Sequence, residues 1–310
     1  MKYIALVSWL FSMSIRLSIP ILYAALGGLI LFKSGVFNMG LEGMMLAGAF
    51  LGFYGVLISG NLWIGLLLAI IGGAFLGLIL AYVTVSLGGN QLVIGLGMNF
   101  FVLGLTGFFY RMICNSGLLC ETTRTANFSS IYIPFLSKLP ILGEIFFDHN
   151  FLTYLSILLV IFVNWFFYKT TYGLNLRSVG ENPETADASG INVYLVRYMA
   201  AITSGILTAT GGAFLTLTQV TRFTENITDG RGWIALAIII FGKYQPWGML
   251  WASLVFGASF ALVLQLQVMG VQIPVQIILM FPYVLTIAAL IGVVGKVRGP
   301  SALGKHYIKN

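Results

Sequence analysis

The stretch GMMLAGAFLGFYGVLISGNLWIGLLLAIIGGAFLGLILAYVTVSLGGNQLVIGLGMNFFVLGLTGFFY, residues 43–110, decides the fold. It is a run of 68 residues without an Asp, Glu, Lys or Arg, bounded by Glu42 and Arg111. A helix needs about 20 apolar residues to cross a bilayer, so this run holds roughly three spans. A second run of 52 uncharged residues, between Lys243 and Lys296, holds roughly two more. Neither run shows the alternating ten-residue segments of a transmembrane barrel. Composition agrees: 59% of the 310 residues are hydrophobic, 8% are charged, and mean hydropathy is +0.97. A soluble domain carries about 25% charged residues. The chain therefore reads as an all-α polytopic membrane protein, a single transmembrane domain over residues 1–310 with roughly 8–10 helices, broken or re-entrant segments included.

The formal net charge of +7 does not indicate nucleic acid, because no soluble surface with interleaved basic and aromatic residues is present. It reads as membrane topology, since positive charge gathers on the cytoplasmic side. Lys296, Arg298, Lys305 and Lys309 follow the last apolar run with no acid among them, which places the C-terminus in the cytoplasm. No cleavable signal peptide is indicated, because Arg16 interrupts the first apolar stretch.

Working from the tail, spans are expected at 275–295, 247–268, 198–219, 150–168, 91–112, 62–87, 36–58 and 10–32. Residues 232–242 are too few to cross about 30 Å and read as a half-helix. Residues 114–149 form an external loop, either a solvated cap or a docking surface. Strict alternation puts the N-terminus outside, and one more break in the first hundred residues would reverse that. Cys114 and Cys120 lie in the external loop and are either free thiols or a disulfide. Glycines such as Gly35, Gly40, Gly43, Gly48, Gly52 and Gly55 are read as close-packing positions between helices.

Charge is concentrated in one internal segment. Six of the 25 charged residues lie between Lys169 and Arg197, a polar island flanked by spans and suited to meeting a soluble partner. Within it Asn182 suits a helix N-cap, Pro183 a first turn and Gly190 a stop.

Three sets of residues could serve transport. Ser34, Asn38 and Glu42 are spaced by four and would share a helical face. Glu42 is the only acid before residue 121. It is either a pathway group or a structural acid bonded to free amides at the start of a half-helix. The segment from Thr224 to Ala237 places Glu225, Asp229 and Arg231 at the outer end, just before the half-helix, as either a polar site or an ordinary turn. Asn99, Gln219, Gln265 and Gln267 lie inside spans, where bonding between helices is their commoner use. Catalysis and metal binding are not indicated. No phosphate-binding glycine loop occurs, and His149 and His306 lack metal-ligand spacing.

Four passages resemble the integral-membrane permeases of ATP-binding-cassette (ABC) importers, in the branch serving nucleosides, simple sugars and branched-chain amino acids. They are SGVFNMGLEGMMLAGAF (34–50), GLNLRSVGENPETADASGINVYLVR (173–197), GRGWIALAIIIFGKYQPWG (230–248) and PSALGKHY (300–307). The resemblance implies a type II importer fold in a bacterial plasma membrane and a cytoplasmic ABC ATPase that uses ATP and Mg. It further implies a second permease subunit, identical or related, and an extracytoplasmic substrate-binding lipoprotein. No cofactor is expected on this chain. The pattern G-x-N-P-x-x-A-x-x-x-G-I is met by Gly180, Asn182, Pro183, Ala186, Gly190 and Ile191, with Glu181 inside it. By resemblance this segment contacts the ATPase, and 34–50 lies in the family's broken-helix region near the translocation path, where Gly40 and Gly43 also permit a break. An ion-coupled secondary transporter using Glu42 is the alternative reading.

Overall fold

The computed structural model describes residues 2–115, 127–132, 142–269, 280, 284 and 299–307. Helix α1 (Lys2–Lys33) is followed by a non-helical segment at 34–40, and then by α2 (Leu41–Ser59). Next come α3 (Leu62–Ala81), which continues as a π-helical turn at Tyr82–Ser86, and α4 (Gln91–Asn115). Strands β1 (Ser130–Tyr132) and β2 (Asp148–Asn150) pair antiparallel, with Ser130 opposite Asn150, and α5 (Leu142–Phe146) precedes β2. The chain then forms α6 (Phe151–Lys169), α7 (Thr171–Glu181), α8 (Pro183–Ala188) and α9 (Val193–Phe214), which ends in a second π turn at Leu215–Gln219. The last described helices are α10 (Arg231–Phe241) and α11 (Pro246–Val268).

Among the described residues, seven helices are long and apolar enough to cross a membrane: α1, α2, α3, α4, α6, α9 and α11. Helix α10 has 11 residues and is the expected half-helix. The expected span at 275–295 and the Cys114–Cys120 pairing lie outside the described residues, as does most of the loop 114–149.

One expected span is corrected. Residues 36–58 do not form one helix, because the chain is non-helical until Leu41. Gly35 adopts φ 87°, a left-handed turn that ends α1. Asn38 Oδ1 then accepts the Gly40 N–H at 2.7 Å, which competes with helical pairing. Ser34 and Asn38 therefore do not share a helical face with Glu42. Gly35 and Gly40 serve this break, and each also lies close against a glycine of another helix, Gly180 of α7 and Gly95 of α4.

Helices α1, α2 and α9 occupy the interior, whereas α3, α4, α6 and α11 turn large apolar side chains such as Phe75, Phe101, Phe162 and Trp251 outward. Backbones approach closely where both partners are small. A Cβ at Gly48 on α2 would overlap the Ala209 backbone of α9, and Gly73 of α3 meets Gly205 of α9 in the same way. Lipid tails are as apolar as the helix surfaces, so such contact replaces a hydrophobic drive. Helix α1 has 32 residues, about 48 Å at 1.5 Å per residue, so it tilts in or projects from an apolar layer of about 30 Å.

The two ends of the bundle differ. On one, the Ala302 N–H donates to Gly180 O and the Gly304 N–H to Gly35 O, each at 3.0 Å, while His306 lies against Gly88. The end of α1, the α3–α4 turn, α7 and residues 299–307 thus meet on a tail face. On the other, Trp63 at the start of α3 packs edge-on against Phe128, 5.2 Å between ring centres. Arg16 of α1 donates to Asp148 O there at 3.0 Å. The break at 34–40 starts from the tail face and α2 ends on the strand face, so no crossing is added. Strict alternation therefore holds for the first hundred residues.

Candidate functional site

The start of the span α2 and the half-helix α10 converge inside the bundle on one carboxylate. Glu42, in the first turn of α2, accepts the Thr228 hydroxyl at 2.6 Å and the Gly230 N–H at 3.0 Å through Oε1. Its Oε2 accepts the Gly232 N–H at 2.6 Å. Thr228 is fully buried. Gly232 allows this approach, because a Cβ there would strike the Glu42 backbone. The carboxylate thus caps the N-terminus of α10, where first-turn amides lack helical partners and the dipole favours negative charge. A membrane carboxylate costs about 2.5–3.5 kcal/mol. Charge-assisted bonds of about 1.5–3 kcal/mol each offset that cost.

Helix α4 satisfies the broken backbone on the other side. The Phe37 N–H donates to Gln91 Oε1 at 2.6 Å. Asn99 accepts the Gly43 N–H at 2.7 Å and donates to Met39 O at 2.8 Å. Eight residues separate Gln91 from Asn99, about 12 Å along the helix. The extended segment therefore rises alongside α4 from the tail face toward the middle of the bundle. Non-helical backbone at that depth persists only where protein or a water path satisfies it.

The loop between α9 and α10 descends from the strand face to the same depth. Arg111, near the strand-face end of α4, donates two bonds to Glu225, each at 2.7 Å. These bonds hold the Glu225 carboxyl below the usual carboxylate range. Phe223 anchors the descent against Phe50 and Tyr110, with ring centres 5.3 and 5.1 Å away. Asn226 and Asp229 adopt left-handed φ of 57° and 45°, a conformation Asn and Asp tolerate best among non-glycine residues. Both are exposed. Among the described residues no ion pair involves Asp229. The three residues part company at this loop: Glu225 pairs with Arg111, Asp229 precedes the Gly230 amide that Glu42 accepts, and Arg231 lines a pocket with Arg16, Asn127, Ser130 and Asn150 on the strand face. Arg231 turns toward α11, donating to Ile227 O at 3.2 Å and Thr228 O at 3.1 Å with its guanidinium over the Phe260 ring.

On the tail face the polar island forms two helices. Amphipathic α7 buries Gly173, Leu176, Val179 and Gly180. Gly180 lies on the Lys33 backbone so closely that a Cβ would overlap it. Asn182 caps α8 by accepting the Thr185 N–H at 3.0 Å, Pro183 occupies the first turn, and Gly190 ends the segment at φ 84°. Of α8 only Ala186 is buried, so Glu184, Thr185 and Ala188 project outward. Glu181 accepts both the Ser301 N–H at 3.2 Å and its hydroxyl at 2.7 Å, and Tyr307 packs on Tyr194. Ile191 lies against the small cluster of Val179, Ala186, Val193 and Tyr307. Buried Arg197 donates to Ser34 O at 3.3 Å, joining α9 to the start of the break.

The sequence-derived residues thus divide. Glu42 and Asn99 meet at the junction, next to Asp229. Ser34 bonds to Leu31 O and Asn38 to its own turn, and both are fully buried. Gln219 donates to Arg16 O at 2.6 Å near the strand face and lines a pocket there with Arg231. Gln91 and Asn226 were not singled out from the sequence, Arg197 entered only as a charge at the end of the polar island, and the strap over 300–307 entered only through the resemblance. Gln91 carried a signal, as the lone long polar side chain opening an apolar run.

The model for branched-chain amino acid transport system / permease component matches residues 10–290. The chain is 38% identical to a guanosine ABC transporter permease protein, NupQ of Bacillus subtilis, over 94% of this chain and 93% of that protein. It is 36% identical to a nucleoside ABC transporter permease protein, NupC of Lactococcus lactis, over 94% of each. A putative glucose ABC transporter permease protein of Haloferax volcanii, TsgC13, is 34% identical over 96% of this chain and 97% of that one. No solved structure matches. With its nearly full-length similarity and its bundle of apolar helices around a broken segment and a half-helix, the chain belongs to the branched-chain amino acid transport system permease component family.

Proposed function

We propose that this chain is the membrane-spanning subunit of an ABC importer and forms the path for a nucleoside or a related small polar solute, such as a base or simple sugar. Relatives named for guanosine and nucleosides, similar over nearly their whole length, favour nucleosides over glucose. The tail face is cytoplasmic, in a bacterial plasma membrane. There α8 docks on a partner ATPase that hydrolyses ATP with Mg, and a second permease subunit completes the path. The strand face receives an extracytoplasmic substrate-binding lipoprotein.

The observation that carries this reading is the mounting of α8. It is capped at both ends, exposed along most of its surface, and joined through Gly180, Gly35 and Ala302 to the start of the membrane break. A push on α8 therefore reaches the segment 34–40 as rigid-body contact. Glu42 acts in this reading as the clasp between the start of α2 and the half-helix α10, its two oxygens taken up by the Thr228 hydroxyl and the Gly230 and Gly232 amides. The test is uptake of radiolabelled guanosine into proteoliposomes. The chain with its ATPase and lipoprotein accumulates solute only with ATP. Accumulation by this chain alone under an imposed ion gradient would overturn the reading.

A further inference from the structure

Helix α4 presents two grooves on two faces, and they differ in chemistry. One, of 530 Å³, is lined between α2, α3 and α4 almost wholly by apolar groups, among them Tyr54, Phe75, Phe101 and Phe109. Such a surface suits lipid chains. The other, of 790 Å³, runs beside the descending loop and is lined by Phe100, Gly104, Gly107, Phe108, Arg111, Glu225 and Asn226, with Leu103 and Met112. It shares its wall with non-helical backbone and ends at an ion pair, and neither is tolerated against hydrocarbon.

We infer that this second groove is a recognition station for the base of a nucleoside, a proposal that rests on the functional reading above. Phe100 and Phe108 are 72% and 63% exposed, and no heavy atom lies within 4 Å of a Cβ placed at Gly104. The two phenyl rings stand eight residues apart, about 12 Å along the helix and close to the length of a nucleoside. Between them the Gly104–Gly107 floor exposes only backbone, so a flat ring can lie against it. Phe100 offers a ring face, and aromatic stacking accepts any base. Asn226 offers one amide donor pair and one acceptor to the polar edge of the base. The Arg111–Glu225 pair stands at the outer mouth, where a sugar hydroxyl finds both a donor and an acceptor. Asp229, exposed deeper on the same loop, receives the solute next.

The neighbours Phe100 and Phe101 provide the test, because they line different grooves. In the assembled transporter, uptake is measured for guanosine, with thermal unfolding of each variant as a control. Phe100→Ala and Asn226→Ala are expected to raise KM about tenfold, the loss of one stacked ring or one base-edge contact. Phe101→Ala is expected to leave KM within about twofold. Gly104→Phe fills the groove without a clash and is expected to abolish uptake while unfolding as wild type does. If Phe100→Ala and Asn226→Ala behave like Phe101→Ala while the wild type imports guanosine, the groove proposal is overturned and the functional reading stands. If Gly104→Phe instead separates the permease subunits on size exclusion, the groove is a subunit seam and the proposal is likewise overturned. A wild-type transporter that imports no nucleoside overturns the functional reading itself.

Discussion

Glu42 and Asp229 are two acids at similar depth on converging segments, and the bundle treats them oppositely. Glu42 is half-buried, with both carboxylate oxygens engaged by donors from the start of α10. Asp229 is exposed, on a left-handed turn, with no ion-pair partner among the described residues. An exposed carboxylate at membrane depth requires water or another subunit in front of it. The contrast shows how such a protein can break its helices and still fold. One acid holds the break closed, and the other stands exposed beside it.

The largest expected effect breaks the drive to this junction. Gly190→Pro forces a φ near −65° on a residue held at 84°, which misplaces the end of α8. ATP-driven uptake should fall more than about tenfold while the ATPase still turns over in the assembled complex. Retained uptake per ATP would remove α8 from the coupling role.

Next comes the clasp. Glu42→Gln replaces one acceptor oxygen by an amide that cannot accept the Gly230 or Gly232 N–H. A loss of about 1.5–3 kcal/mol is expected, read as a lowered thermal midpoint in detergent. Asp229→Asn sharpens the comparison, with stability held within about 0.5 kcal/mol and a changed uptake rate. Equal stability losses in both variants would erase the distinction between the sites. The smallest effect belongs to the strap. Ser301→Ala removes one hydroxyl bond to Glu181, and the accompanying change in stability is about 1 kcal/mol or less. A full loss of fold would mean that the strap holds far more than this bond.

Much of this was legible because helices in lipid must be apolar over a fixed length. The spans over α3, α4, α6 and α11 follow from that rule, and α10 was short enough to be read as half a crossing. The α8 caps were equally local, since Asn182, Pro183 and Gly190 each act on their own backbone. Residues 34–40 were not legible in this way. Their spacing fits a helix, and what opposes it is the positive φ at Gly35 together with acceptors supplied from α4 by Gln91 and Asn99. Periodicity does not encode partners that lie more than fifty residues away. The descent of 220–230 escaped for the same reason, because its depth is set by Glu42 and Phe223 rather than by its own composition. The strap at 299–307 carried a resemblance signal only, as its bonds use backbone groups of Gly35 and Gly180.

The most direct measurement is the water accessibility of the two acids' surroundings in the assembled transporter. In a chain with Cys114 and Cys120 replaced by serine, Asp229→Cys and Thr228→Cys are exposed to a small charged thiol reagent, with and without guanosine. The account predicts that the cysteine at 229 is labelled and that guanosine slows it, while the cysteine at 228, buried against Glu42, stays unlabelled. A cysteine at 229 that resists the reagent in every condition would contradict the open path beside a sealed junction.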